Sequence, residues 1–209
     1  MKNPHGQRPK EDFYRIVNKL PWAREILFGA LGEPFLYHEI GEVLKFLANK
    51  KIQAPITTNL TLLEEDHVKA LPANMQLYVS IEGKGHIDAY NPQIVLDHVK
   101  NNILKLKRER PDVHISVNSL LLNDNLPQAR DLVNFCAQSG CGINFFYPMY
   151  FREDLERDLS IFRHPNFRVE IQKLGYLCQS LHVPCYLSPF PNVERICVRA
   201  LSQPIVAYD

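Results

Sequence analysis

The chain has 209 residues, of which 45% are hydrophobic, and 24 lysines and arginines are balanced by 23 acidic residues. This composition is typical of a water-soluble globular domain, which at this length needs neither disulfides nor a structural metal for stability. A formal charge of +1 argues against broad electrostatic binding of nucleic acid or acidic membrane, so neither is expected as a partner. The N-terminus carries no apolar signal segment and the sequence no 20-residue apolar run, which predicts a cytoplasmic protein.

Helical and strand-like patterns alternate along the chain. Apolar residues spaced three and four apart, with helical composition elsewhere, predict helices at 13–20, 40–47, 62–71, 92–108, 129–136 and 169–181. Short apolar or β-branched runs predict strands at 25–29, 54–58, 76–81, 113–122, 143–147 and 183–187.

The spacing of these runs predicts a parallel sheet. Successive runs are about 32 residues apart, which is the size of a strand, a crossover helix and the next strand. Most of the runs do not alternate cleanly, so we expect strands covered on both faces. The fold class is therefore α/β, either an open doubly wound sheet or a partial barrel, with chemistry at the carboxyl ends of the strands.

Three of the loops at that edge carry motifs that resemble the radical S-adenosylmethionine (SAM) superfamily. Gly32, Glu33 and Pro34 match the core of its G-G-E-P turn, with Leu31 in place of the first glycine. Residues 57–59 match its T-T-N segment, and residues 79–83 match V-S-[IL]-D-G with glutamate in place of aspartate. Each motif is weak alone, but the three occur in family order on successive βα units.

The resemblance implies a fold, an activity and a pocket. The fold would be a partial (β/α)6 TIM-like barrel that lacks its first strand. The activity would be reductive cleavage of SAM by a [4Fe-4S] cluster to a 5′-deoxyadenosyl radical, which removes hydrogen from an unknown peptide or small-molecule substrate. An electron donor would reduce the cluster. The implied cofactor-binding residues are Gly32, Glu33, Pro34, Thr58, Ser80, Asn118 and Met149.

The cysteines depart from the family. None of the five lies in the C-x-x-x-C-x-x-C pattern that binds the cluster, so they are expected to be reduced and mostly buried thiols. We therefore expect a fragment, with residues 1–12 following a missing cluster loop, 13–190 forming the barrel and 191–209 opening a SPASM-like extension. Cys197 is the candidate ligand for an auxiliary cluster in a longer protein.

Each motif also has a structural explanation. Glu33 suits the first turn of a helix, where the helix dipole favours a carboxylate. Ser80 and Asn118 can close strands, Thr57 and Thr58 are good strand formers, and Met149 can fill a core.

Two other functions remain open. One is a non-catalytic SAM-binding or partner module that keeps the pocket without radical chemistry. The other is a cofactor-free lyase or hydrolase using Glu33, Glu82 and Lys84, which requires these side chains within hydrogen-bonding reach. The basic helix end at 105–110 complements the helix dipole and needs no nucleic-acid partner.

Overall fold

The computed structural model describes residues 7–29, 32–81, 92–147 and 161–188. Within them the helices are α1 (Lys10–Asn18), α2 (Ile40–Asn49), α3 (Glu65–Ala70), α4 (Pro92–Glu109), α5 (Leu126–Ser139) and α6 (Phe167–Ser180). The strands are β1 (Ile56–Thr58), β2 (Gln76–Ser80), β3 (His114–Leu120), β4 (Gly142–Phe146) and β5 (Cys185–Leu187). Short 3-10 turns span Pro34–Leu36 and Ile161–Arg163. The predicted helices are all present, and α1 begins three residues before the predicted start at Phe13.

The five strands form one parallel sheet in the order β1-β2-β3-β4-β5. The predicted first run is not a regular strand, but it extends the sheet beside β1 through parallel bridges from Glu25 to Gln53 and from Phe28 to Ile56. The amide of Phe28 donates to the Pro55 carbonyl at 2.8 Å, and the amide of Thr57 donates to the Phe28 carbonyl at 2.7 Å. Six extended segments therefore lie side by side.

The strand order distinguishes between the two predicted architectures. In a doubly wound sheet the order reverses at a switch point, whereas here each strand lies next to its successor in the chain. Crossovers of one hand then place all the helices on one face, as in a (β/α) barrel. The fold is α/β, and the prediction of a partial TIM-like barrel is confirmed.

The two faces of the sheet differ. Burial alternates along β2, β3 and β4, with every second residue buried and the others half-buried or exposed. The buried set, which includes Leu77, Val79, Val117 and Ile143, packs in one core beneath the helices. The expectation of strands covered on both faces is therefore wrong for the described residues, because their second face carries polar side chains that remain accessible.

Arg110 connects two βα units at the amino ends of the strands. It follows α4, and its guanidinium donates to the carbonyls of Val68 at 2.9 Å and Leu71 at 2.8 Å. It also donates to the Pro72 carbonyl at 3.3 Å and pairs through two nitrogens with Asp112 at 3.0 and 2.7 Å. Arg110 therefore satisfies carbonyls at the end of α3, a more specific role than the predicted interaction with the dipole of its own helix.

None of the helices in the described ranges is long and apolar enough to cross a membrane.

Candidate functional site

A cleft of about 380 Å³ lies at the carboxyl ends of the first strands. It is lined by residues from all three predicted motif segments together with one strand-end glycine: Gly29, Gly32, Glu33, Thr57, Thr58, Asn59 and Ser80. The parallel register explains this convergence, because equivalent ends of neighbouring parallel strands meet at one edge of the sheet. Gly32, Glu33, Thr58 and Ser80, predicted to share a site, do lie together.

The carboxylate of Glu33 joins two of the motifs. Its Oε1 accepts hydrogen bonds from the Thr58 hydroxyl at 2.6 Å and from the Phe35 amide at 3.2 Å. Its Oε2 accepts from the Asn59 amide at 2.8 Å. Glu33 is thus the N-cap of the 3-10 turn Pro34–Leu36 rather than a residue in the first turn of an α-helix. The same carboxylate fixes this turn to the end of β1.

The chain leaves β1 in a constrained conformation. Leu60 is fully buried and has a φ of 55°, in the left-handed region that disfavours a leucine. Its amide donates to the Thr58 hydroxyl at 2.8 Å, and its carbonyl accepts from the Asn102 side chain at 2.9 Å. These two bonds hold the strained residue. The amide of the preceding residue, Asn59, is the one that donates to Glu33.

The two threonines of the motif have different roles. Thr58 is 2% exposed, and its hydroxyl both donates to Glu33 and accepts from Leu60, so it positions the wall of the cleft. Thr57 lies on the opposite face, is half-buried, and has no hydrogen-bond partner for its hydroxyl among the described residues. Thr57 therefore offers the cleft a free hydroxyl, although the sequence prediction selected Thr58.

Two glycines shape the cleft for different reasons. Gly29 has a φ of 115°, and a Cβ there would lie 2.7 Å from the Thr57 carbonyl oxygen, so only glycine allows this approach. Gly32 has a φ of 83°, but a Cβ there would meet no atom within 4 Å. Pro34 occupies the start of the 3-10 turn and fixes its φ without lining the cleft.

The predicted residues on the later strands lie beyond the cleft. Asn118 is the register partner of Ser80 but is not among the lining residues. Its Oδ1 accepts a hydrogen bond from the Asn144 Nδ2 at 2.8 Å. Met149, Glu82, Lys84 and Cys197 lie outside the described residues, so their predicted roles stay predictions.

The lining of the cleft carries a single negative charge. Glu33 is the only charged side chain among the lining residues, and the others offer hydroxyls, an amide or backbone. Such a surface favours a cationic ligand over a phosphate or a carboxylate.

The residues preceding α1 attach beside the Glu33 turn. The Gln7 side chain donates to the Leu36 carbonyl at 2.9 Å, and the Tyr37 hydroxyl donates to the Arg8 carbonyl at 3.0 Å. The Lys10 ammonium lies 3.0 Å from the Glu39 carboxylate, and this hydrogen bond lowers the pKa of Glu39. The start of the described chain is therefore tied to the far side of the turn that forms the cleft.

The described thiols do not form a metal site. Cys136, Cys141 and Cys178 are buried and free, Cys185 is free and exposed, and burial raises the pKa of the Cys136 thiol to about 12. In the described ranges, no group of three or more His, Cys, Asp or Glu residues could hold a metal ion.

Known structures share this architecture. No family model and no curated protein matches the sequence. Streptococcus suis SuiB bound to S-adenosylmethionine is 16% identical with a TM-score of 0.63, and the match covers 87% of this chain and 43% of SuiB. TYW1 with a lysine-pyruvate adduct is 18% identical with a TM-score of 0.55, covering 75% and 50% of the two chains. These neighbours are radical SAM enzymes. The chain has the radical SAM fold.

A third structure shows how much of the fold is shared. A domain of the pyruvate-formate lyase-activating enzyme from Bacteroides vulgatus is 13% identical with a TM-score of 0.54, and the match covers 78% of this chain and 98% of that domain. The chain spans less than half of the length of the SuiB structure. At these identities the likeness establishes the shared fold alone, and this is the fold that the predicted resemblance implies.

The cofactor-binding residues predicted from the sequence did not include Gly29, Thr57 and Asn59, although Thr57 and Asn59 belong to a motif segment that was predicted to reach the site. Gly29 ends a predicted strand, where a glycine permits close approach, and this signal could have identified it. The face that Thr57 takes could not be predicted from the sequence, because a three-residue strand is too short to show its period.

Proposed function

We propose that the cleft binds S-adenosylmethionine and that this chain supplies the SAM-binding part of a radical SAM-type enzyme. The observation that carries the proposal is the convergence of the three motif segments on one cleft, with the Glu33 carboxylate joining two of them. The SuiB structure, which shares the fold, is bound to S-adenosylmethionine.

The lining residues fit this ligand chemically. SAM carries an ammonium and a sulfonium, and Glu33 is the one carboxylate in the lining. Three donors occupy part of the capacity of its two oxygens, and Oε2, with one partner, can accept from an ammonium. The hydroxyls of Thr57 and Ser80 would bind the ribose or the methionine carboxylate, and Gly32, where a Cβ would meet no atom within 4 Å, leaves room for the ligand beside the backbone.

The residues of this chain do not fit the [4Fe-4S] cluster. Such a cluster needs thiolate ligands, the sequence has no C-x-x-x-C-x-x-C motif, and the described residues contain no metal-binding group. Radical generation is therefore proposed only for a protein in which three thiolates come from outside these 209 residues. Without them the chain would act as a SAM-binding module.

The substrate would be a peptide or a small molecule. One SuiB structure is bound to the precursor peptide SuiA, and it matches 87% of this chain with a TM-score of 0.61. This supports a peptide as the substrate of the present chain.

Calorimetry with S-adenosylmethionine tests the proposal. We expect the chain to bind SAM without iron, and Glu33→Gln to weaken binding about tenfold or more, since an amide nitrogen cannot accept from an ammonium. Glu42→Gln is the matched control, because Glu42 is 62% exposed, pairs with Lys10 and lies outside the cleft lining. Absence of binding by the wild-type chain would overturn the proposal, and equal affinity of Glu33→Gln would remove Glu33 from it.

A further inference from the structure

Two asparagines form a pair on the accessible face of the sheet. Asn118 in β3 and Asn144 in β4 are register partners, both are half-buried, and their side chains are joined by the 2.8 Å hydrogen bond. Register partners in a parallel sheet point to the same face, so the pair lies on the face opposite the helix-covered core.

This bond leaves one side-chain NH₂ group and one side-chain carbonyl oxygen wholly unpaired among the described residues. The Asn144 Nδ2 donates to the Asn118 Oδ1, so the Asn118 Nδ2 and the Asn144 Oδ1 have no hydrogen-bond partner in the described part of the chain. Reversing both side-chain amides leaves the same outcome, a free donor on one residue and a free acceptor on the other. The complementarity is therefore independent of which way the amides are assigned.

The strand residues around the pair include no acidic residue, lysine or arginine. The other residues of strands β1 to β5 that face this side include Tyr78, Ser116 and Leu120, and no Asp, Glu, Lys or Arg is among them. Phe146 and Tyr186 lie beside the pair with ring centroids 5.8 Å apart, and Tyr186 is 44% exposed. Among the strand residues on this face a ligand meets amides, hydroxyls and aromatic rings, which disfavours a phosphate or a carboxylate because neither would find a counter-charge among them.

We propose that the Asn118–Asn144 pair binds the backbone of an uncharged peptide segment of the substrate, through one amide N–H and one carbonyl. An extended peptide presents the N–H and the C=O of one residue on the same side, as in a β-ladder. The free Nδ2 donates to that carbonyl, and the free Oδ1 accepts from that N–H.

The position of the pair agrees with this role. Asn118 is the register partner of Ser80, the last lining residue of the SAM cleft, and neighbouring strands are about 4.8 Å apart. This inference rests on the proposed function for calling the peptide a substrate, and it assigns Asn118 to the substrate rather than to the cofactor.

Nuclear magnetic resonance on the 209-residue chain tests the pair directly. The probe is N-acetylalanine N-methylamide, a neutral molecule that carries a peptide N–H and C=O on one residue. We expect saturable shifts of the side-chain NH₂ resonances of Asn118 and Asn144. An analogue with esters in place of both amides lacks the N–H groups and should bind about fivefold more weakly, as expected for one lost hydrogen bond.

Two variants separate the pair from its surroundings. Asn144→Asp replaces the shared donor with an acceptor and adds a charge, so affinity for the probe should fall about tenfold. Ser116→Ala, on the same face but bonded to Gln76 at 3.3 Å, should leave affinity within twofold. The comparison of amide and ester probes on the wild-type chain needs no variant and stands even if Asn144→Asp fails to fold.

The SAM calorimetry distinguishes failure of this inference from failure of the proposed function. Absent shifts, equal binding of amide and ester, or an Asn144→Asp chain that keeps full affinity would each overturn the peptide assignment. A loss of SAM affinity in Asn144→Asp as large as the loss of probe affinity would also overturn it, because the pair would then belong to the cofactor site. A chain that binds the amide probe but not SAM would contradict the proposed function alone.

Discussion

Two charged side chains organise opposite ends of the same sheet. Arg110, at the amino ends of the strands, donates to the carbonyls of Val68, Leu71 and Pro72 and pairs with Asp112. Glu33, at the carboxyl ends, accepts from two amides and the Thr58 hydroxyl. Both link consecutive βα units by satisfying backbone groups that helices and strands leave unpaired.

The difference between them lies in what surrounds the charge. The partners of Arg110 are all protein groups, whereas Glu33 also lines an open cleft. In a (β/α) barrel the amino ends of the strands serve stability and the carboxyl ends serve function. The comparison predicts that changes around Arg110 affect unfolding alone, whereas changes around Glu33 affect both unfolding and ligand binding.

Replacing Arg110 should have the largest effect. The Arg110→Ala substitution removes donors from three carbonyls and leaves Asp112 without its partner, so the free energy of unfolding should fall by about 3 kcal/mol. Chemical denaturation followed by circular dichroism measures this loss. Arg108→Ala is the control: its side chain is 76% exposed, and the substitution should change stability by less than about 0.5 kcal/mol. Equal effects of the two substitutions would contradict a specific role for Arg110.

The two glycines of the cleft should respond unequally. Gly29→Ala places a Cβ against the Thr57 carbonyl at a positive φ, and we expect a loss of about 2 kcal/mol together with weaker SAM binding. In Gly32→Ala the new Cβ contacts no atom, so only the positive φ is unfavourable, and the free energy of unfolding should fall by about 1 kcal/mol. Denaturation and calorimetry on both variants test this order. A smaller loss of stability in Gly29→Ala than in Gly32→Ala would show that the backbone at Thr57 shifts easily to accommodate the new Cβ.

Substitutions of the two threonines distinguish a residue that stabilises the cleft from a residue that contacts the ligand. Thr58→Val deprives the buried Leu60 amide of its acceptor and Glu33 of a donor, so unfolding free energy should fall by about 1.5 kcal/mol. Thr57→Val has the same shape and removes a hydroxyl without a partner in the described residues, so stability should change by less than about 0.5 kcal/mol. Both should weaken SAM binding in calorimetry. If Thr57→Val alone keeps full affinity, Thr57 does not contact the ligand.

Protonation of Asp112 in acid should lower the free energy of unfolding, because it removes the charge that pairs with Arg110 at the amino end of the sheet. The hydrogen bond from Arg110 lowers the pKa of Asp112 to about 2, from an ordinary value of 3.8. Because the pKa is lower in the folded state, the stabilisation is complete above pH 4 and is lost as the pH falls toward 2. Asp112→Asn should therefore flatten the dependence of stability on pH between 4 and 2. An unchanged slope in denaturation at several pH values would exclude this coupling.

Much of the fold could be predicted from the sequence because its signals are local. Helical spacing, short β-branched runs and their repeat along the chain depend on neighbouring residues, and they predicted the parallel α/β sheet. The motif turns were also local, because Pro34 fixes its own φ and Gly32 permits the positive φ that this turn adopts. Parallel register then brought these turns to one edge.

The rest depends on contacts between distant residues. The bonds of Arg110 to α3 and of Asn118 to Asn144 cross 26 to 42 positions of the chain, so no short pattern reveals them. The roles of Thr57 and Thr58 depend on which face each residue takes in a three-residue strand, which is too short to show its period. The expectation of two covered faces was wrong for a related reason. A strand with mixed polar and apolar residues does not show whether another element packs against its second face.

The sequential winding of the sheet has a consequence for how its specificity can vary. The Glu33 cleft is built from the first three extended segments, whereas the asparagine pair belongs to the next two strands. Each βα unit packs on its predecessor, so the earlier units keep their contacts only if an exchanged later part retains Asn102 and Arg110, which bond to Leu60 and to the end of α3. Under the two proposals, cofactor binding and substrate binding belong to different βα units, and chimaeras joined between β2 and α4 that keep Asn102 and Arg110 would test whether the two can vary independently.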